Sequence, residues 1–303
     1  METHTFHDAA LVLIAHGSSL NPGSAAPAYL QAAHLRARGM FAEVCEAFHQ
    51  QDPPVTGVLR RVSAPRVFVV PMFISEGWFA EQVIPGALGL RNPGDVRFER
   101  VQRRGNQVIH YCHPVGSHAS MTEVLLARAR EVVRQHPFPS LPDPARTALL
   151  IAGHGTTYSR GSRESIERQV TLLKERAIYG SVHGLFLEEE PRIAEAWTLP
   201  RERNVVLVPF FISDGLHTQE DIPVMLGESE AVVRARLASG KAGWRNPTHR
   251  QGKRLWCAGA LGTEPVLSDV ILERVVEAAA WTQPAAGDTP AAYSTPGHPE
   301  VTG

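Results

Sequence analysis

Apolar residues fall along the chain in short runs that alternate with longer segments of mixed polarity. Runs such as Leu11–Ala15 and Arg66–Pro71 are almost wholly apolar, which is typical of strands covered on both faces. Segments such as Ser24–Arg38 and His118–Gln135 have the length of helices, and Gly39, directly after the first, is a common helix stop. Alternating strands and helices predict an α/β fold with a mostly parallel sheet between helix layers.

This pattern occurs twice. Leu11–Ser18 (LVLIAHGS) reappears as Leu149–Thr156 (LLIAGHGT), and Pro71–Gly77 (PMFISEG) reappears as Pro209–Gly215 (PFFISDG), both at an offset of 138 residues. A period of this length is too long for a solenoid repeat and fits a whole domain. We therefore predict two tandem doubly wound domains, each with a parallel four-stranded sheet flanked by helices.

Composition predicts the domain boundaries. The segment 136–146 contains four prolines, which is typical of a stiff and extended linker. After Trp281 the sequence turns to Pro, Ala, Gly, Thr and Ser, as in disordered tails. The expected division is a first domain at 1–135, the linker at 136–146, a second domain at 147–281 and a tail at 282–303.

Charge and cysteine content argue against several classes of function. Lys and Arg number 30 against 31 Asp and Glu, so the net charge favours neither nucleic acid nor a membrane surface as a partner. No apolar run approaches the roughly 18 residues of a membrane span, and the first residues lack the pattern of a signal peptide. Cys45, Cys112 and Cys257 form no disulfide or metal pattern. We expect a cytoplasmic protein with reduced thiols, either a monomer or a homodimer.

Three polar residues of the second half follow three different predicted strands. His154 comes after the first strand between two glycines, Glu188 follows the second strand, and His217 follows the third. Because ligands bind beyond the carboxyl ends of parallel strands, these side chains are expected at one edge of the sheet. Two imidazoles and a carboxylate suit a borderline divalent ion such as Co²⁺, Fe²⁺, Ni²⁺ or Zn²⁺. Each residue alone also fits a turn, a solvent-facing surface or an acidic run, so their shared placement is what favours a site.

The first half does not repeat this set. His16 is retained, but Gln50 stands at the position of Glu188 and Phe79 at that of His217. Phenylalanine cannot ligate a metal, and glutamine offers neither a negative charge nor a proton-accepting carboxylate. We therefore predict that the chemistry belongs to the second half.

The ordered motifs resemble those of the class II chelatase family. They are Ala15–Ser18 (AHGS), Phe186–Glu188 followed by Pro191, and Pro209–Phe211 (PFF) followed by Gly215–His217 (GLH) and Asp221–Pro223 (DIP). More narrowly, residues 10–135 and 147–280 are similar to the two-domain sirohydrochlorin cobaltochelatases and ferrochelatases. The resemblance implies a tetrapyrrole cleft between two α/β domains, no organic cofactor, and Co²⁺, Fe²⁺ or Ni²⁺ as a substrate. It maps the metal-binding and catalytic set of that family onto His154, Glu188 and His217.

The implied substrate, a sirohydrochlorin-like tetrapyrrole, sets expectations for the rest of the cleft. The first half would form the opposing wall, with His16 facing the macrocycle and with Phe79 and Trp78 stacking on it or merely covering the sheet edge. Because sirohydrochlorin carries many carboxylates, cations are expected nearby. Segment 231–256 is rich in Lys and Arg and has no acidic residue. The residues predicted to bind substrate carboxylates are Arg160, Arg163, Arg245 and Arg250.

The sequence leaves more than one function open. In a chelatase, His154 and His217 would recruit the metal, and Glu188 would act as a third ligand or accept a proton as two pyrrole N–H protons leave. A non-catalytic tetrapyrrole or metal carrier would keep the same cleft without turnover, although the retained Glu188 favours the enzyme. A hydrolase built on Ser213 or Ser18 has little support, because the chain lacks a GxSxG motif.

Overall fold

Two similar five-stranded sheets form the framework of the protein. The structure is a computed structural model that describes residues 5–19, 21–95, 97–155 and 160–282, with the side chains of Pro22 and Arg160 left aside. The first sheet has the order β2-β1-β3-β5-β4 and the second the order β7-β6-β8-β10-β9. The strands are β1 (Phe6–Ala15), β2 (Phe41–Phe48), β3 (Arg66–Pro71), β4 (Val101–Arg104), β5 (Gln107–Tyr111), β6 (Thr147–Gly153), β7 (Ser181–Phe186), β8 (Asn204–Pro209), β9 (Thr248–Arg250) and β10 (Lys253–Cys257).

The register of the two sheets repeats with the sequence. Leu11 of β1 lies opposite Val44 of β2 and Phe68 of β3, and Leu149 of β6 lies opposite Val182 and Val206. These pairs are related by the same offset of 138 residues that relates the motifs. The predicted two-domain α/β fold is therefore confirmed at the level of individual strand pairs.

Each sheet contains the predicted four parallel strands and one further antiparallel edge strand. β4 pairs with β5, and β9 pairs with β10. The extra strands arise because polar segments fold back as tight hairpins. In the second hairpin, Gln251 and Gly252 both have positive φ, as a two-residue turn with the twist of the strands requires.

Helices cover both sheets, and several are shorter than the sequence predicts. They are α1 (Ala26–Arg38), α2 (Val58–Arg61), α3 (Ile84–Ala87), α4 (Met121–Gln135), α5 (Arg160–Glu175), α6 (Ile222–Met225), α7 (Glu230–Ala238) and α8 (Leu267–Ala279). The segment between β2 and α2 is not helical, because the Pro53 carbonyl accepts from the Phe48 N–H and the Val55 N–H donates to the Phe48 carbonyl. The short α3 and α6 each follow one turn of π-helix, at Phe79–Val83 and His217–Asp221.

The two halves exchange their last long helices. α4 packs on β8 and β10 of the second sheet, whereas α8 packs on β3 and β5 of the first. Val124 of α4 and Val270 of α8 belong to one continuous buried core that includes both sheets. The two packed bodies therefore each contain residues from both halves, and the proposed division at 136–146 follows the sequence repeat alone.

Matched polar contacts hold the exchanged helices. Arg128 of α4 donates to the Thr263 hydroxyl at 2.6 Å, and Arg274 of α8 donates to the Ser117 hydroxyl at 2.7 Å. The Gln31 amide of α1 donates to the carbonyl just before α8, and that of Gln169 in α5 does the same just before α4. Each exchanged helix is therefore held by equivalent contacts from the opposite half.

Among the described residues, no helix is long and apolar enough to cross a membrane. Cys112 and Cys257 are fully buried, and burial raises the pKa of each thiol to about 12. Both are therefore protonated and inert at neutral pH. Of the predicted tail, 283–303 lies outside the described residues.

Candidate active site

A cleft of about 1260 Å³ lies where the carboxyl ends of the two sets of parallel strands face each other. Both halves contribute to it. The first wall is lined by His16, Gly17, Ser18, Asn21, Ser24, Phe73, Ile74, Ser75, Gly77, Trp78, Phe79 and Ala80. The second wall is lined by His154, Ser162, Phe210, Phe211, Ser213, Asp214, Gly215, Leu216, His217, Gln219, Glu220 and Leu237.

Glycines set the position of the two strand-end histidines. Gly17 and Gly155 follow them with φ of +68° and +58°, a conformation that favours glycine. A Cβ atom on Gly155 would lie 2.7 Å from the Phe186 side chain, and one on Gly17 would lie 2.7 Å from that of Gln51. The His-Gly pair is thus needed to turn the chain sharply at the sheet edge while the imidazole faces the cleft.

The second wall brings His154, Glu188 and His217 to one place. The rings of His154 and His217 are 4.8 Å apart between centroids and nearly perpendicular, at 80°. Glu188 Oε1 lies 3.2 Å from His154 Nδ1. Glu188 contacts His154 and does not line the cleft itself. Among the described residues, no three His, Cys, Asp or Glu side chains form a ready-made metal cage.

Asp221, which the sequence gives only as part of the DIP motif and not among the predicted site residues, also belongs to the site. Its Oδ2 lies 2.7 Å from Nδ1 of His217, across the π-helical turn His217–Asp221. A carboxylate in this position holds Nδ1 protonated and leaves Nε2 of the imidazole free to bind a metal. The spacing of four residues on a helix is the signal that could have identified it.

The first wall has the same geometry with different side chains. Phe79 begins the matching π-helical turn, and its ring lies 4.8 Å from that of His16, the same separation as in the His154–His217 pair. Phe73 stacks on Phe79 at 6.3 Å, as Phe211 lies 5.9 Å from His217. Phe79 therefore occupies the place that His217 has on the second wall, and the two predicted contacts of this half, His16 and Phe79, line the cleft.

His49 contacts His16 and Phe79 without lining the cleft, and no pattern in the sequence distinguishes it from a surface histidine. It follows β2 directly, and its ring lies 5.7 Å from His16 and 5.5 Å from Phe79. Partial burial, and then repulsion from His16, lowers the pKa of His49. The corresponding residue of the second half is Leu187.

The predicted arginines differ in where the structure places them. Arg163 donates to Glu189 at 2.6 Å and to Glu167 at 2.8 Å, and its guanidinium lies over the Phe186 ring. It therefore fixes the loop that carries Glu188. Arg160 is the first residue of α5, and its side chain lies outside the described part of the structure.

The structure places Arg245 and Arg250 outside the described lining of the cleft. Arg250 pairs with Lys253 at the start of β10, and the cleft lies beyond the other end of that strand. Its guanidinium donates to the Leu226 carbonyl. Arg245 is solvent-exposed and does not line the cleft. Within the described lining there is no Lys or Arg side chain.

The hydroxyl of Ser213 forms a hydrogen bond with the opposite wall of the cleft. It donates to the Ser24 carbonyl at 2.7 Å, which ties the second wall to the first. This contact gives Ser213 a structural role and offers no support for a hydrolase.

Comparison with known proteins identifies the family. The family model CbiX matches this chain twice, at residues 10–132 and 148–278. A probable sirohydrochlorin cobaltochelatase of Halobacterium salinarum is 39% identical over 281 residues, which cover 89% of this chain and 92% of that protein. A sirohydrochlorin cobaltochelatase of Methanopyrus kandleri is 27% identical over 139 residues, 43% of this chain and 96% of its own length.

A solved structure shows the same architecture. It is a multi-domain Deinococcus radiodurans protein described as structurally similar to chelatases, with a TM-score of 0.71 and 30% identity. The match covers 88% of this chain and 54% of that protein, so this chain corresponds to about half of its length. The resemblance noted in the sequence is confirmed, and with two consecutive matches that span most of its length, the chain belongs to the CbiX family.

Proposed function

We propose that the protein inserts a divalent metal, cobalt or iron, into sirohydrochlorin or a closely similar tetrapyrrole. The observation that carries the proposal is the pair His154 and His217, whose rings are 4.8 Å apart on one wall of a cleft that faces an aromatic wall. The names of the Halobacterium and Methanopyrus relatives, both cobaltochelatases, support the same substrate class.

The two imidazoles are spaced to hold one metal ion. Imidazoles bound to a single tetrahedral ion place their ring centres roughly 5 Å apart, given metal–nitrogen bonds of about 2 Å. Asp221 orients His217, and Glu188 supplies a third ligand or a proton acceptor once its side chain rotates toward the cleft. Imidazole and carboxylate suit Co²⁺, Fe²⁺ and Ni²⁺ alike, and the residues themselves do not select among these ions.

The cleft offers apolar surface to the macrocycle on both sides. Trp78 is 62% exposed, and its counterpart Leu216 is 61% exposed; both line the cleft. Large apolar side chains so exposed are typical of binding sites. An indole and a phenyl ring on the first wall provide stacking surface for a conjugated ring. Arg160 stays a candidate for binding ring carboxylates.

Insertion then requires the ring to lose two N–H protons while its nitrogens bind the metal. His154 and His217 hold the ion against one face of the ring, and the first wall supports the other face. Glu188, beside His154, is placed to accept a proton on the metal side. No organic cofactor is expected, and the cytoplasmic setting and the choice between monomer and homodimer stay predictions.

A spectrophotometric insertion assay tests this function. Purified protein is mixed with sirohydrochlorin and Co²⁺, Fe²⁺ or Ni²⁺, and the absorbance change of the ring is followed over many turnovers. The proposal requires turnover above the uncatalysed rate and its loss in His154→Ala and His217→Ala. Stoichiometric binding of the ring without turnover would instead identify a carrier.

A further inference from the structure

The two walls of the cleft differ in the proton acceptors they offer. An imidazole nitrogen that binds a metal has no lone pair left for a proton, so His154 and His217 cannot both hold the ion and take protons at the same atoms. The remaining ionisable groups at the second wall are carboxylates, namely Glu188, Asp214, Glu220 and Asp221, which is already paired with His217. On the first wall, His16 is the one ionisable side chain in the described lining.

His16 is oriented to accept a proton. Its Nδ1 lies 2.9 Å from the Gly17 carbonyl, and since a carbonyl only accepts, Nδ1 carries the hydrogen. Nε2 is then the basic nitrogen of the neutral ring. The edge contact with Phe79 supports the ring without competing for its lone pair.

His49 provides a path from His16 to water. It is solvent-exposed, and its ring lies 5.7 Å from that of His16, within reach of a transfer made directly or through one water molecule. Because partial burial and repulsion from His16 lower the pKa of His49, a proton that reaches it is released readily. The second half has the apolar Leu187 at this position and lacks the path.

We propose that His16 accepts one of the two pyrrole N–H protons, on the ring face opposite the metal, and that His49 passes this proton to solvent. The N–H bond breaks, its proton bonds to Nε2 of His16, and the electron pair left on nitrogen bonds to the metal. The second proton leaves on the metal side, to Glu188 or to water. This inference rests on the proposed function.

The test measures kcat and the KM values for ring and Co²⁺ in wild type, His16→Ala, His49→Ala, His49→Gln and the control His34→Ala. General-base roles are worth about 100-fold or more when complete. Since Glu188 remains, we expect kcat to fall about 10- to 100-fold in His16→Ala and severalfold in both His49 variants, with the Co²⁺ KM unchanged. Added imidazole restores kcat in His49→Ala. His34 lies on α1 away from the cleft lining, and its variant keeps wild-type values.

Other outcomes would show which part of the proposal is wrong. A His49 loss that imidazole does not restore, or wild-type kcat in the His49 variants, would overturn the relay. A rise in the Co²⁺ KM alone would show that His16 and His49 bind the metal. A rise in the ring KM alone would show that they only support the bound ring. Either result contradicts the proposal. Failure of the wild type to insert any metal would reject the proposed function itself.

Discussion

The two walls of the cleft share a backbone and differ in chemistry. Each has a His-Gly turn after the first strand of its half and a π-helical turn after the third, with ring pairs 4.8 Å apart. The second wall places His217 and Asp221 on that turn, where the first wall has Phe79 and Val83. A few side-chain differences on one shared backbone therefore give the second wall two imidazoles with carboxylates beside them, and the first wall one imidazole and an aromatic surface.

The largest expected effect comes from removing the imidazoles of the second wall. His154→Ala and His217→Ala should each lower metal insertion by about two orders of magnitude or more, because each removes a ligand and leaves the ion weakly held. Initial rates at several Co²⁺ concentrations measure this. His16→Ala is the matched variant on the first wall, and we expect it to lower kcat without changing the Co²⁺ KM. Equal rises in the Co²⁺ KM on both walls would contradict the asymmetry.

Asp221→Asn should cost about 10-fold in metal affinity, since carboxylates that orient metal-bound histidines are typically worth 10- to 100-fold. Equilibrium dialysis with Co²⁺ measures the change. Val83→Asn is its control, because Val83 holds the same place beside Phe79. Unchanged affinity in Asp221→Asn would show that the 2.7 Å contact does not act on the metal site.

Placing the polar residues of the second wall on the first wall tests the comparison in the opposite direction. The triple change Gln50→Glu, Phe79→His and Val83→Asp rebuilds the residues of the second wall on the first. Because the backbone geometry already matches, we expect bound Co²⁺ to rise from one ion per chain to about two. The single change Val83→Asp is the control and should leave one ion.

Trp78→Ala should raise the KM for the ring about fivefold, the equivalent of about 1 kcal/mol of stacking. Leu216→Ala should have a smaller effect, because a leucine offers no aromatic face. Trp78→Phe should retain most of the affinity. Ring titrations followed by absorbance measure the affinity of all three variants for the ring. A change in the Co²⁺ KM would contradict the role of Trp78 in stacking on the ring.

The last prediction concerns folding stability and the polar contacts of the exchanged helices, with metal insertion expected to be unchanged. Burial raises the pKa of Glu264 to about 7, although Arg128 beside it opposes the rise. A carboxyl whose pKa is higher in the folded state stabilises the protein below about pH 4.5 and loses that contribution as the pH rises to about 7. We expect on the order of 1–3 kcal/mol of unfolding free energy to disappear across this range in wild type. Denaturant unfolding of Glu264→Gln at both ends of the range should lack that fall.

Much of this protein could be predicted from the sequence because the two copies of the repeat align at one offset as far as Pro85 and Pro223. The strand-end rule predicts that His154, Glu188 and His217 lie together, since the carboxyl ends of adjacent parallel strands share one edge. Arg250 pairs with the amino end of β10, and the same rule therefore places it away from the cleft.

Other features of the structure could not be predicted from the sequence. The exchange of α4 and α8 depends on which sheet each helix covers, and amphipathic periodicity shows only that a helix has an apolar face. His49 was missed because a lone histidine after a strand has many explanations, and only its distances to His16 and Phe79 distinguish it.

Cobalt binding to the ring-free protein tests the asymmetry of the walls most directly. Wild type, His154→Ala, His217→Ala and His16→Ala are titrated with Co²⁺, and the visible absorption of the bound ion is followed. The structure predicts one ion per chain in wild type and in His16→Ala, and little or no binding in His154→Ala and His217→Ala. Loss of the ion in His16→Ala with retention in His217→Ala would contradict the assignment of metal binding to the second wall.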